Sequence, residues 1–131
     1  MSHGKFGTAI NCMDGRAQLP VINWMMAQYK LDCVDMITEP GVDKVMAAGG
    51  YNQLEALKAK AMISVCKHGS RLIVIVGHDD CAGNPVTPEE HKAHLLKAVD
   101  KILAWKLPVD KVMALWLNKD WRVEIVAEKK S

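Results

Sequence analysis

The run Leu72-Ile73-Val74-Ile75-Val76, followed at once by Gly77-His78-Asp79-Asp80-Cys81, decides how this chain is read. A short run that is apolar on both faces belongs at the centre of a parallel sheet covered on both sides. In open sheets of that kind, ligands collect beyond the carboxyl ends of the strands. His78 and Cys81 follow directly on the run and are therefore delivered to that edge.

Strands and helices alternate on either side of it. Upstream, Phe6 to Asn11 reads as a first strand and Asp32 to Thr38 as a second. Between them Leu19, Ile22, Met26 and Tyr29 repeat at helical spacing, and Pro20 suits a first helical turn, so Leu19 to Lys30 is predicted helical. Pro40-Gly41 and Gly49-Gly50 bracket Val42 to Ala48, which has room for a helical turn. From Asn52, the residues Leu54, Leu57, Ala61, Met62 and Val65 mark a helix that stops at Gly69. Downstream, Thr87, Pro88 and Glu90 form a helix start with a capping box. That helix runs to about Lys106, with Leu95, Val99, Ile102 and Leu103 inward and Pro108 beyond its end. Val112 to Leu117 is a fourth strand, Asn118-Lys119-Asp120 a turn, and Trp121 to Val126 a fifth strand. The short turn forces the fifth strand antiparallel to the fourth. The expectation is an α/β fold in three layers: a sheet of four mainly parallel strands plus an antiparallel C-terminal strand, with helices on both faces.

At 131 residues the chain makes one domain, 1–131. A net charge of +2 with scattered basic residues carries no nucleic-acid signature. No run approaches the roughly 18 apolar residues of a membrane span, and Met1 to Gly7 holds no apolar signal core. The expected compartment is the cytoplasm, where the cysteines at 12, 33, 66 and 81 stay reduced and serve as metal ligands or buried thiols.

The chemistry centres on Cys12-Met13-Asp14-Gly15-Arg16, which leaves the first strand as His78-Asp79-Asp80-Cys81 leaves the third. Two thiolates and one imidazole make three corners of a tetrahedral zinc site, and a fourth corner left to water is the pattern of a catalytic zinc. In an extended segment Cys12, Asp14 and Arg16 point to one side, so Arg16 can hold the Asp14 carboxylate with paired hydrogen bonds. Zinc lowers the pKa of bound water from about 15.7 to around 7, and Asp14 would orient the resulting hydroxide. Each fragment alone has a plainer reading, as a core cysteine, a turn, or a chance H-x-x-C; their joint placement after strands is what points to metal. Cys33 and Cys66 read as core residues and His91 and His94 as surface histidines, while His68 and His3 carry no signal. There is no phosphate-binding glycine loop with its lysine, no serine nucleophile elbow and no Cys-x-x-Cys pair.

Cys12-x-Asp14-x-Arg16 followed by His78-x-x-Cys81 resembles the paired signature of the β-class carbonic anhydrases, in a short version without the N-terminal helical arm. The resemblance implies one zinc per subunit on Cys12, His78 and Cys81, with Asp14 and Arg16 as catalytic dyad. It implies reversible hydration of carbon dioxide to bicarbonate, and a homodimer with its active sites near the subunit interface. Related members hydrolyse carbon disulfide or carbonyl sulfide, and a non-catalytic zinc module is a third reading. No glutamine precedes the first motif, and Ala82 stands where the family has a glycine after the second cysteine, with Gly83 one place later.

Overall fold

The computed structural model describes residues 4–131; His3 lies outside them. The elements are β1 (Phe6–Asn11), a 3-10 turn (Gly15–Ala17), α1 (Gln18–Tyr29), β2 (Cys33–Thr38), α2 (Val42–Ala48), α3 (Tyr51–His68), β3 (Leu72–His78), α4 (Pro88–Leu103), β4 (Lys111–Leu117) and β5 (Val123–Lys130). They build one five-stranded sheet in the order β2-β1-β3-β4-β5. The first four strands are parallel and β5 is antiparallel to β4, as the sequence leads one to expect. Among the described residues no helix is long and apolar enough to cross a membrane.

Every residue of β3 is buried. Ile73 and Ile75 face a core shared with Leu57, Ala61, Leu95 and Val99 from α3 and α4. Leu72, Val74 and Val76 face the other core, with Val21 and Met25 of α1. Helices therefore cover both faces, which is why the run Leu72 to Val76 carries no polar residue. The chain moves outward from β1 to β2, then returns past β1 to β3, so the strand order reverses between β1 and β3. Loops leaving two adjacent strands at such a reversal diverge to opposite faces and leave a crevice at the carboxyl edge. The loops carrying Cys12 and Cys81 leave these two strands.

Several local expectations are corrected. In α1 the inward face is Val21 and Met25; Leu19 is 66% exposed and Met26 36%. The helix is apolar almost all round, so spacing alone does not choose the buried stripe. Met62 of α3 is likewise exposed. Val42–Ala48 is a full helix, and α4 ends at Leu103, before Lys106. Trp121 is not in the last strand: it sits in the β4–β5 loop with a left-handed backbone, φ 59°. The alternation in β5 breaks at a register shift opposite Ala114/Leu115, which leaves Ile125 exposed and turns Val126 and Ala127 toward the α3–α4 core. Cys33 and Cys66 are exposed rather than core.

His91 is not at the surface but 1% exposed. Its Nδ1 donates to Asp43 at the start of α2, itself 1% exposed, and its ring lies 5.0 Å from that of Trp116. Asn84 Nδ2 donates to Asp43 Oδ1 at 3.1 Å and to Nδ1 of the half-buried His94 at 3.0 Å. His68, silent in the sequence, pairs through Nδ1 with Asp35 at 2.7 Å. Removing the Asp43 carboxylate leaves the buried His91 ring N–H and the Asn84 amide without their acceptor. At about 1–3 kcal/mol for each stranded donor, Asp43→Ala is expected to be strongly destabilising, read as a lower urea midpoint at unchanged slope.

Candidate metal centre

Each site residue is placed by a short-range backbone device. Cys12 follows the last residue of β1, where Asn11 is fully buried; Asn11 Nδ2 donates to the Ala17 carbonyl at 3.0 Å and its Oδ1 accepts from the Cys12 N–H at 2.8 Å. The chain then turns instead of staying extended. Asp14 caps the 3-10 turn, its Oδ1 accepting from the Arg16 N–H at 2.9 Å. Gln18 closes the loop from the far side, its amide donating to the carbonyls of Cys12 and Asp14, both at 2.8 Å. The expected Asp14–Arg16 clamp is present, but a turn rather than strand alternation makes it. Arg16 Nε donates to Asp14 Oδ1 at 3.1 Å and Nη2 to Oδ2 at 2.7 Å.

The second loop meets the first through two glycines. Gly41 adopts φ +56°, and a Cβ there would lie 2.5 Å from the Gly83 backbone; a Cβ on Gly83 would lie 2.6 Å from Gly41 N. Only two hydrogens in place of side chains allow this crossing. The contact matters to the sulfurs, because the backbone N–H groups of Asp14 and Gly41 favour the ionised form of Cys12, and those of Asn84 and Gly83 that of Cys81. Gly77 has a parallel role, since a Cβ there would meet Asp43 Oδ2 at 2.8 Å.

Cys12, His78 and Cys81, all buried, bring their ligand atoms within 4.8 Å of one another. The two sulfurs are 4.0 Å apart. Two thiolates bound at 2.3 Å to one tetrahedral zinc lie roughly 3.8 Å apart, so the spacing suits a shared ion. His78 Nδ1 donates to the Asp79 carbonyl at 2.7 Å. That fixes the tautomer and leaves Nε2 with a free lone pair. Nε2 is buried and has no hydrogen-bond partner among the described residues. An orphaned buried acceptor beside two thiols is costly unless something takes its lone pair, and a soft divalent cation does so.

The electrostatics agree. A hydrogen bond from the Cys81 thiol holds the Cys12 thiol well below its usual range. The same bond pushes Cys81 up, because ionising it would set two negative sulfurs side by side. A cation between them removes that conflict. Burial opposes a proton on His78, yet the neighbouring Cys12 sulfur and the hydrogen bond to the Asp79 carbonyl outweigh it and raise its pKa. Hydrogen bonds from Arg16 lower the Asp14 pKa to about 2, so it is ionised at neutral pH. The Arg16 pKa is raised in return by hydrogen bonds to Asp14 and Asp80. Asp14 Oδ2 stands 4.0 Å from His78 Nε2, on the side of the ring that faces the two sulfurs.

Sequence reasoning missed four residues here. Gln18 carries no motif, and Gly41 reads only as a break in pattern. Asp80 takes Arg16 Nη1 on Oδ2 at 3.2 Å and Nη2 on its carbonyl at 3.2 Å. Trp121 lies with its ring 4.7 Å from the Arg16 guanidinium carbon.

Comparison with known proteins follows the same line. Residues 2–127 match the family model described as "Putative carbonic anhydrase". A search of curated proteins finds no match. Among solved structures the chain is similar to a carbonic anhydrase from Glaciozyma antarctica, with TM-score 0.52 and 17% identity over 92% of this chain and 81% of that one. It is also similar to the β-carbonic anhydrase CafA of Aspergillus fumigatus, with TM-score 0.52 and 15% identity over 98% of this chain and 78% of that one. At such identities the structural likeness speaks for the fold, while the family match spans nearly the whole sequence. The chain therefore belongs to the carbonic anhydrase family, as a β-carbonic-anhydrase-like member.

Proposed function

We propose that this chain is a zinc-dependent carbonic anhydrase that hydrates carbon dioxide reversibly to bicarbonate and a proton. The observation that carries the reading is the partnerless, buried Nε2 of His78 facing two thiols, with Asp14 4.0 Å away. A zinc ion held by Cys12, His78 and Cys81 would supply the Lewis acidity that ionises water near neutral pH. Asp14 would accept a hydrogen bond from the attacking water and so orient it toward the carbon of the substrate. Arg16 keeps Asp14 charged and fixed in one rotamer. Both oxygens of Asp14 are engaged by Arg16, which favours a carboxylate that orients rather than one that closes the fourth corner.

Stopped-flow hydration with zinc-loaded protein at pH 7 to 9 tests this. Turnover above the buffer rate supports it, and none with a full equivalent of metal overturns it. Sulfide release from carbonyl sulfide, in the absence of carbon dioxide turnover, would reassign the substrate at the same site.

A homodimer accompanies this reading. Met13 in the first site loop and Leu19 in the first turn of α1 are 61% and 66% exposed, apolar surface that a second copy beside the site would cover. Light scattering is expected to give twice the chain mass; a monomer at working concentration removes the dimer. Four unpaired thiols suit the reducing cytoplasm.

A further inference from the structure

We infer that Trp121 is a positioning residue for the Asp14–Arg16 clamp, delivered to the site by a hairpin loop that is strained for that purpose. This rests on the carbonic anhydrase reading only for its kinetic consequence. The β4–β5 loop is organised by Asn118, whose Oδ1 accepts from the N–H groups of Asp120 at 2.9 Å and Arg122 at 3.1 Å. Trp121 N in turn donates to the Asn118 carbonyl at 2.9 Å, and the loop closes with Trp121 in the left-handed region at φ 59°. Hairpin loops of this kind usually place glycine at the left-handed position. A bulky aromatic there is an outlier, and such outliers concentrate at functional sites.

What the strain delivers is a single indole touching both halves of the site. Its ring lies 4.7 Å from the Arg16 guanidinium carbon and 5.8 Å from the His78 ring at 35°. The side chain also packs, half-buried, on the core that contains Leu117 and Val21. Arg16 needs such a support. Its side chain is 49% exposed, and an ion pair that open to water is held only weakly by its charges. Asp14 and Asp80 take the edge of the guanidinium; Trp121 covers a face, restricting the rotamers and the water that would loosen the clamp.

Two variants separate this role from simple core filling. Trp121→Gly relieves the left-handed backbone while removing the ring, and Trp121→Leu keeps apolar bulk without a π face. In NMR spectra of the zinc-loaded protein, the Arg16 Nε–H of both variants should lose its ring-current shift and exchange with water about 2–5-fold faster. Their kcat should fall by about 10–100-fold at unchanged KM and zinc content. Trp121→Phe should restore most of both. If Trp121→Gly does not fold, Trp121→Leu alone decides. Unchanged Arg16 exchange in Trp121→Leu, or full kcat in that variant, overturns the inference. The exchange measurement needs no turnover, so an inactive parent would sink the proposed reaction while leaving the role of Trp121 decidable.

Discussion

Cys12→Ala is expected to yield a protein that no longer retains zinc through desalting and that unfolds more readily than its parent. Metal affinity on the order of 10 kcal/mol shared by three donors makes one thiolate worth roughly 3 kcal/mol, or about a hundredfold in Kd. The loss also reaches the fold. With free zinc at about 1,000 times Kd, binding adds about 4 kcal/mol to the native state, and the variant forgoes most of it. In addition, the backbone N–H groups of Asp14 and Gly41 lose the thiolate that they favour. Cys33→Ala and Cys66→Ala, at exposed positions, are the matched controls and should keep a full equivalent. Chelator competition and elemental analysis check the metal, and thermal unfolding with and without zinc checks the coupling. A full equivalent in Cys12→Ala would remove Cys12 from the ligand set, and the proposed reaction with it.

The parts of this site that a reader of the sequence can find share one property: their signal is local. Leu72 to Val76 announces a doubly covered strand because no polar residue interrupts it. Cys12 and His78 are locatable because each stands at the carboxyl end of a strand, and the parallel sheet brings those ends together without any long-range signal being needed. Thr87 and Glu90 signal their helix start by spacing alone, and Thr87 does cap the Glu90 N–H at 3.2 Å.

The parts that escape the sequence depend on distant partners. His91 lies between Glu90 and Lys92, which reads as a solvated helix face. It is buried because Asp43, far away in sequence, lies across from it on α2. The inward stripe of α1 is chosen by the sheet surface it lands on, since Leu19, Ile22 and Met26 offered as regular a pattern as Val21 and Met25. Alternation from Trp121 to Val126 was a sound strand signal, defeated at one end by a left-handed residue and in the middle by a register shift. Gly41 and Gly83 share the same difficulty: each is an ordinary loop glycine until the two backbones are seen to cross. The missing residues are thus mostly those that set angles and not those that supply donors, which is why chemistry is more legible here than geometry.

Asp14→Asn is the sharpest test of how the donors and the dyad divide their work. The amide has nearly the same shape, so the 3-10 turn keeps its cap: Asn can still accept from the Arg16 N–H through its oxygen. The three metal donors are untouched, and zinc content is expected to stay at one equivalent. What changes is charge and hydrogen-bond polarity. A carboxylate accepts at both oxygens, whereas the amide offers one acceptor. With the oxygen kept at the capping position, the NH2 group takes the place of Oδ2, where it sets donor against donor at the 2.7 Å contact with Arg16 Nη2 and removes the acceptor on the side facing His78. Turnover should fall by about 10²–10³-fold, the range expected when a preorganised hydrogen-bond partner of the reacting groups is lost, while thermal stability in the presence of zinc moves little. Asp14→Glu keeps the charge but lengthens the arm, and should recover part of the loss only if charge rather than reach is limiting. Full activity in Asp14→Asn with zinc in place would show that the metal site works without an orienting carboxylate, and the Asp14–Arg16 pair would then be no more than a surface ion pair that caps a turn.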